Sequence, residues 1–129
     1  MMMTRKLLAS AAAFAVGASL FIAGTAVAVT RADTTLTIKG PNGDFSGTIN
    51  SPRPKLCANH RTVFLFHQLG ATQNPAHDHR SGMDTSELQG GKYVWDMGNT
   101  GLSGKYYARA PQTPHCKAGS SKTIKVVRH

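Results

Sequence analysis

RTVFLFHQ, residues 61–68, is the stretch whose reading decides the fold. Side chains along an extended strand alternate between two faces. Val63 and Leu65 therefore share one face, and Phe64 and Phe66 share the other. A strand apolar on both sides belongs inside a sheet, with something covering each face. His67 ends the apolar run.

Working outward, the neighbouring segments repeat the period of two. In TTLTIK (34–39), Leu36 and Ile38 lie on one face, and Thr35, Thr37 and Lys39 lie on the other. That is the pattern of a half-buried strand. GPNGD (40–44) is a tight turn. FSGTIN (45–50) returns with Phe45 and Ile49 on one face and Gly47 between them, so the two strands form a hairpin. SPRPKLCANH (51–60) holds two prolines, which exclude a central strand, and is a connection carrying Cys57 to the core. On the far side, LGATQNPAHDHRSGMDTSELQGG (69–91) reads as a long polar loop, with TSEL (85–88) as a short strand within it. KYVWDM (92–97) places Tyr93, Trp95 and Met97 inward, and GNTGLSG (98–104) turns the chain. KYYARA (105–110) is a strand in which Tyr107 faces away from Tyr106. PQTPHCKAGSS (111–121) brings in Cys116, and TIKVV (123–127) closes the fold with Ile124 and Val126 inward. Val63, Leu65, Trp95 and Ile124 are the expected core.

The start of the chain has a different character. Arg5 and Lys6 precede an apolar run from Leu7 to about Val29 that carries no charge and holds Ala26-Val27-Ala28. A charged end, an apolar stretch and a small-x-small site make a secretory signal peptide. The run is also long enough for an uncleaved anchor, since about 20 apolar residues span a bilayer. Cleavage after residue 28 is the reading preferred here. It leaves one domain, 29–129, with no transmembrane segment, either secreted or held in the periplasm or cell envelope. The expected architecture is all-β: an antiparallel β-sandwich of six to seven strands with one disulfide, preceded by the signal peptide.

Two cysteines remain, Cys57 and Cys116. An even count in an oxidising compartment favours a bridge, against the alternative of two buried thiols. A loop of about 60 residues closed this way contributes roughly 4 kcal/mol on the chain-entropy model. A domain of this size buries only about 60–70% of its unfolded surface, so such a staple matters.

Loss of Arg5 and Lys6 with the leader leaves 13 basic against six acidic residues, a net charge of +7. A chain of that charge is drawn to polyanions. An anionic cell-envelope polymer or a protein is the expected partner. The basic residues do not cluster in sequence, so no specific nucleic-acid site is expected.

The run TLTIKGPNGDFSGTINSPRPKLCANHRTVFLF, then GGKYVWDMGNTGLSGKYYARA, then HCKAGSSKTIKV resembles small secreted bacterial domains of the transthyretin-like (prealbumin-like, carboxypeptidase-regulatory-like) type. The carrying features are Cys57, Arg61-x-Val63, Gly91-Lys92-Tyr93-x-Trp95, Gly104-Lys105-Tyr106-Tyr107-Ala108, and Cys116 followed by Ser120 and Ser121. These are framework positions spanning nearly the whole exported part. The resemblance implies a β-sandwich and secretion, with an accessory or binding role, and transfers no catalytic residue.

Candidate chemistry is sparse. NPAHDHRSGMD (74–84) sets His77 and His79 two residues apart, with Met83 nearby. Imidazole and thioether are metal ligands, so His77, His79 and Met83 form a candidate metal set, beside the plainer reading of solvated loop histidines. Tyr107 and Arg109 share a strand face and form a candidate contact for a carbohydrate or an anion. There is no G-x-S-x-G elbow, and no glycine-rich loop precedes a helix. No enzymatic activity and no cofactor are expected. The primary reading is a secreted, non-enzymatic binding or envelope-associated module. The alternatives are a metal-binding protein using the His77-Asp78-His79 loop and a non-specific polyanion binder.

Overall fold

The structure, a computed structural model, describes residues 30–127. The segment 1–28 read as a signal peptide lies outside the described residues. The described chain is built mostly of strands: β1 (Thr35–Leu36), β2 (Asp44–Asn50), β3 (Thr62–Gln68), β4 (His79–Thr85), β5 (Glu87–Gln89), β6 (Lys92–Asn99), β7 (Gly104–Ala110), β8 (Gly119–Ser120) and β9 (Ile124–Val126). One helical turn, α1 (Pro54–Cys57), starts on a proline, where the missing N–H costs nothing.

Every strand pair in the two sheets is antiparallel. The five-stranded sheet runs β8–β7–β3–β4, and β9 pairs with β7 beyond β8. The four-stranded sheet runs β1–β2–β6–β5. β3 is therefore interior to its sheet, as its two apolar faces require. One apolar cluster joins the sheets. Leu36, Ile38, Phe45, Ile49 and Trp95 come from one side, and Val63, Leu65, Tyr106, Ala108, Ala110 and Val126 come from the other. Ile124 packs against this cluster only partly buried.

The β1–β2 hairpin turns through Pro41–Gly43, where Asn42 and Gly43 have positive φ. Gly47 serves a different need. A Cβ there would lie 1.9 Å from the carbonyl oxygen of Thr37 and 2.8 Å from the Trp95 ring, so only glycine lets β1 cross so closely. The helical turn delivers Cys57 to Cys116, and the two are joined with Cα atoms 5.6 Å apart.

Beside the bridge lies a buried arginine. The Arg61 guanidinium donates to Thr34 Oγ1 and to the carbonyls of Cys57, Pro111 and Lys117. It thereby ties the first strand, the helical turn and the 111–117 segment together. Loss of solvent lowers its pKa from the usual arginine value.

The long loop is where sequence and structure part. Residues 79–85 are not loop but β4, an edge strand laid along β3. HRSGMDT has no alternation of apolar and polar residues, because edge strands are kept polar and irregular. Leu65 pairs with Gly82 and Phe66 with Arg80, which leaves Ser81 as the extra residue of a bulge. The loop shrinks to residues 69–78.

Candidate functional site

Because Val63 and Leu65 fill the core, Phe64, Phe66 and Gln68 point out of the other side of the five-stranded sheet. Residues directly opposite in an antiparallel pair share a face. Phe64 is opposite Met83 and Arg109, Phe66 is opposite Arg80 and Tyr107, and Gln68 is opposite Lys105. These side chains together form one outer face.

Part of the face is roofed by the 69–78 loop. Asp78 fastens that roof. Its Oδ1 accepts the Leu69 N–H at 3.0 Å, and its Oδ2 accepts the Asn74 N–H at 2.7 Å and the Tyr107 hydroxyl at 2.6 Å. Gln73 donates to the Ser121 carbonyl and to Thr123 Oγ1, and Lys105 donates to the Gly70 carbonyl. Burial alone would raise the Asp78 pKa. Hydrogen bonds from Leu69, Tyr107 and Asn74, with the nearby charge of His67, outweigh it and hold the carboxyl below its ordinary value. The Tyr107 phenol is pushed well above its ordinary value, by burial first and then by its hydrogen bond to Asp78.

Tyr107 is consequently 0% exposed, which corrects the expectation that it offers a surface aromatic. It does face away from Tyr106, but the loop covers it and Phe66 stacks on it at 5.3 Å. Arg109 remains half-buried, with Nη1 donating to Ser120 Oγ at 2.7 Å. The open part of the face is the row Met83–Phe64–Arg109. Met83 is 63% exposed and Phe64 is half-buried. Across this row lies exposed Arg80, its guanidinium carbon 4.0 Å from the Phe64 ring centroid. Sequence reasoning missed Phe64 and Arg80 as a pair, although the doubly apolar pattern of residues 63–66 signalled that the second face had work to do.

The metal set is not assembled. His77 lies exposed in the 75–77 turn, and His79 begins β4 opposite His67. In a regular strand His79 and Met83 would share a face. The bulge at Ser81 removes that relation, so Met83 points outward with Phe64, whereas His79 pairs with the inward-facing row of His67. Asp78 between the histidines is occupied by three hydrogen bonds. Among the described residues no three His, Cys, Asp or Glu side chains converge on one point.

Buried hydroxyls are committed to structure. Ser86 Oγ accepts the Arg61 N–H and donates to the Ala58 carbonyl. Ser121 Oγ accepts the Ala108 N–H and donates to the Lys122 carbonyl. A second surface, a shallow depression of about 570 Å³, lies on the outer side of the four-stranded sheet. Its lining includes Thr37, Lys39, Ser46, Thr48, Lys92 and Asp96. Val94 and the nearly buried Trp95 also line it, so it is more apolar than polar, with charges of both signs around it.

Comparison with models of protein families, with curated proteins and with solved structures finds no match to this chain. Among the described residues no helix is long and apolar enough to cross a membrane.

Proposed function

We propose that this chain is an exported, non-enzymatic binding module of the transthyretin-like β-sandwich type that acts at or beyond the cell envelope. The outer face of the five-stranded sheet is its contact surface. The observation that carries this reading is Arg80 stacked on Phe64 beside exposed Met83. Aromatic, methionine and arginine side chains are the types enriched where proteins meet partners. Phe66 and Tyr107, stacked on each other beneath the loop, lie next to this surface. Export is supported by the apolar leader with its Ala26-Val27-Ala28 site and by the Cys57–Cys116 bridge, which persists in oxidising compartments.

The test is retention of purified protein on the isolated envelope fraction of the producing cells, for wild type and Met83→Asp. Met83 is exposed, so the substitution leaves the fold intact and places a charge in the middle of the face. Loss of retention in the variant supports the reading. Equal retention of both, with unchanged thermal unfolding, moves the contact surface elsewhere.

A further inference from the structure

Arg80 and Arg109 lie on the two strands that flank the strand of Phe64. Arg80 lies over the ring, and Arg109 stands directly opposite Phe64 in the β3–β7 register. Among the described residues neither is paired with a carboxylate. The salt bridge found among the described residues joins Lys117 to Asp33, on another part of the surface. The two acids of the 74–84 segment are turned away. Asp78 is held under the loop by Leu69, Asn74 and Tyr107, and Asp84 Oδ2 accepts the Asp96 N–H of the other sheet at 2.8 Å. The open row therefore shows uncompensated positive charge on both sides of an apolar strip.

The Arg80 guanidinium carbon lies 4.0 Å from the Phe64 ring centroid, and the planar N–H edge of a guanidinium matches the two oxygens of a carboxylate. Met83, exposed beside the Phe64 ring that Arg80 covers, supplies apolar surface of the kind that packs against the C–H side of a sugar ring. The row is open, which suits an extended chain better than an enclosed small molecule. Phosphate polymers are gripped by many cations following the backbone. Here Arg80 and Arg109 stand beside the apolar side chains of Phe64 and Met83, and this mixed surface suits carboxylated sugars better than a uniformly charged backbone.

We propose that the Met83–Phe64–Arg109 row, with Arg80 across it, binds an acidic polysaccharide whose sugars carry carboxylates. This inference rests on the outer-face reading above and names its ligand class.

The experiment measures binding of the exported protein to polygalacturonate, to its fully methyl-esterified form, to polyphosphate and to dextran sulfate, at one fixed ionic strength. Three proteins are compared: wild type, Arg80→Gln/Arg109→Gln, and Lys39→Gln/Lys92→Gln. The last removes equal charge from the other sheet. A bond to a charged group contributes enough that the arginine variant is expected to lose about tenfold or more of polygalacturonate affinity. The lysine variant is expected to stay near wild type, and the ester to bind much more weakly than the acid. Equal losses in both variants, or equal affinity for polyphosphate and dextran sulfate, overturn the site in favour of diffuse charge. Ester binding as strong as acid binding, still lost in the arginine variant, overturns the carboxylate inference but leaves the face as the contact surface. Binding of none of the polymers, while envelope retention still depends on Met83, likewise overturns only the ligand class. Loss of both removes the outer-face reading as well.

Discussion

Asp78→Ala tests the link between the 69–78 loop and the face it roofs. The substitution removes three hydrogen bonds, to the Leu69 and Asn74 N–H groups and to the Tyr107 hydroxyl. Leu69 and Asn74 are exposed, so their N–H groups regain water. Tyr107 is buried, and its hydroxyl is left without this acceptor. Hydrogen bonds to charged groups contribute about 1.5–3 kcal/mol, and an orphaned buried hydroxyl costs a similar amount, so the expected loss is about 2–4 kcal/mol. The loss depends on pH with a definite sign. The folded-state pKa of Asp78 is lowered, so its stabilisation is complete above the unfolded carboxyl pKa of about 3.9 and disappears as pH falls through the lower folded value. Urea unfolding should therefore show a wide gap between wild type and variant at about pH 6 that narrows as pH falls below about 4. A double-mutant cycle with Tyr107→Phe should return a coupling of about 1 kcal/mol or more, because the two groups share one bond. A gap independent of pH, or a coupling near zero, would refute the assignment of Asp78 as the fastener.

Three further outcomes follow from the same structure. Replacing Cys57 and Cys116 by serine opens a loop whose ends are 59 residues apart, and denaturant unfolding should show a loss of roughly 4 kcal/mol; a loss below about 1 kcal/mol would mean that the bridge constrains little. Gly47→Ala drives a methyl group into the Thr37 carbonyl, so thermal unfolding should fall by the equivalent of about 3 kcal/mol or more, whereas unchanged stability would mean that β1 does not cross Gly47 as described. Calorimetric titration with Cu(II) and Zn(II) should give weak binding, little altered by His77→Ala/His79→Ala, because the bulge separates Met83 from His79 and Asp78 is occupied; stoichiometric submicromolar binding lost in the variant would establish a metal site.

The parts of the fold legible in sequence were those written in apolar alternation. Leu36, Ile38, Phe45, Ile49, Val63, Leu65 and Trp95 all reach the core on the faces their spacing requires. The pairing of Cys57 with Cys116 was legible from their even count and from the export that the apolar leader leads one to expect. β4 was not legible, because a polar edge strand with a bulge is held by the backbone of β3 and not by a buried face of its own. Burial of Tyr107 was hidden for a related reason: it depends on Asp78, 29 residues earlier, folding a loop over it. Arg61 ran against expectation by residue type, since arginine is rarely buried, yet its two terminal nitrogens donate to four acceptors from separate segments, while the buried Nε has no partner among the described residues. The Arg80–Phe64 contact crosses between rows of neighbouring strands, and the sequence offers it only once the β3–β4 register and its bulge are known.

The most direct test of the account is residue-level footprinting of the protein, as residues 29–129, with and without the isolated envelope fraction. A reactive carbene would label exposed side chains in both samples. The account expects protection at Met83, Phe64 and Arg80, and unchanged labelling at Lys39 and Lys92 on the opposite sheet. Protection centred on Lys39 and Lys92, or none at Met83, would contradict it.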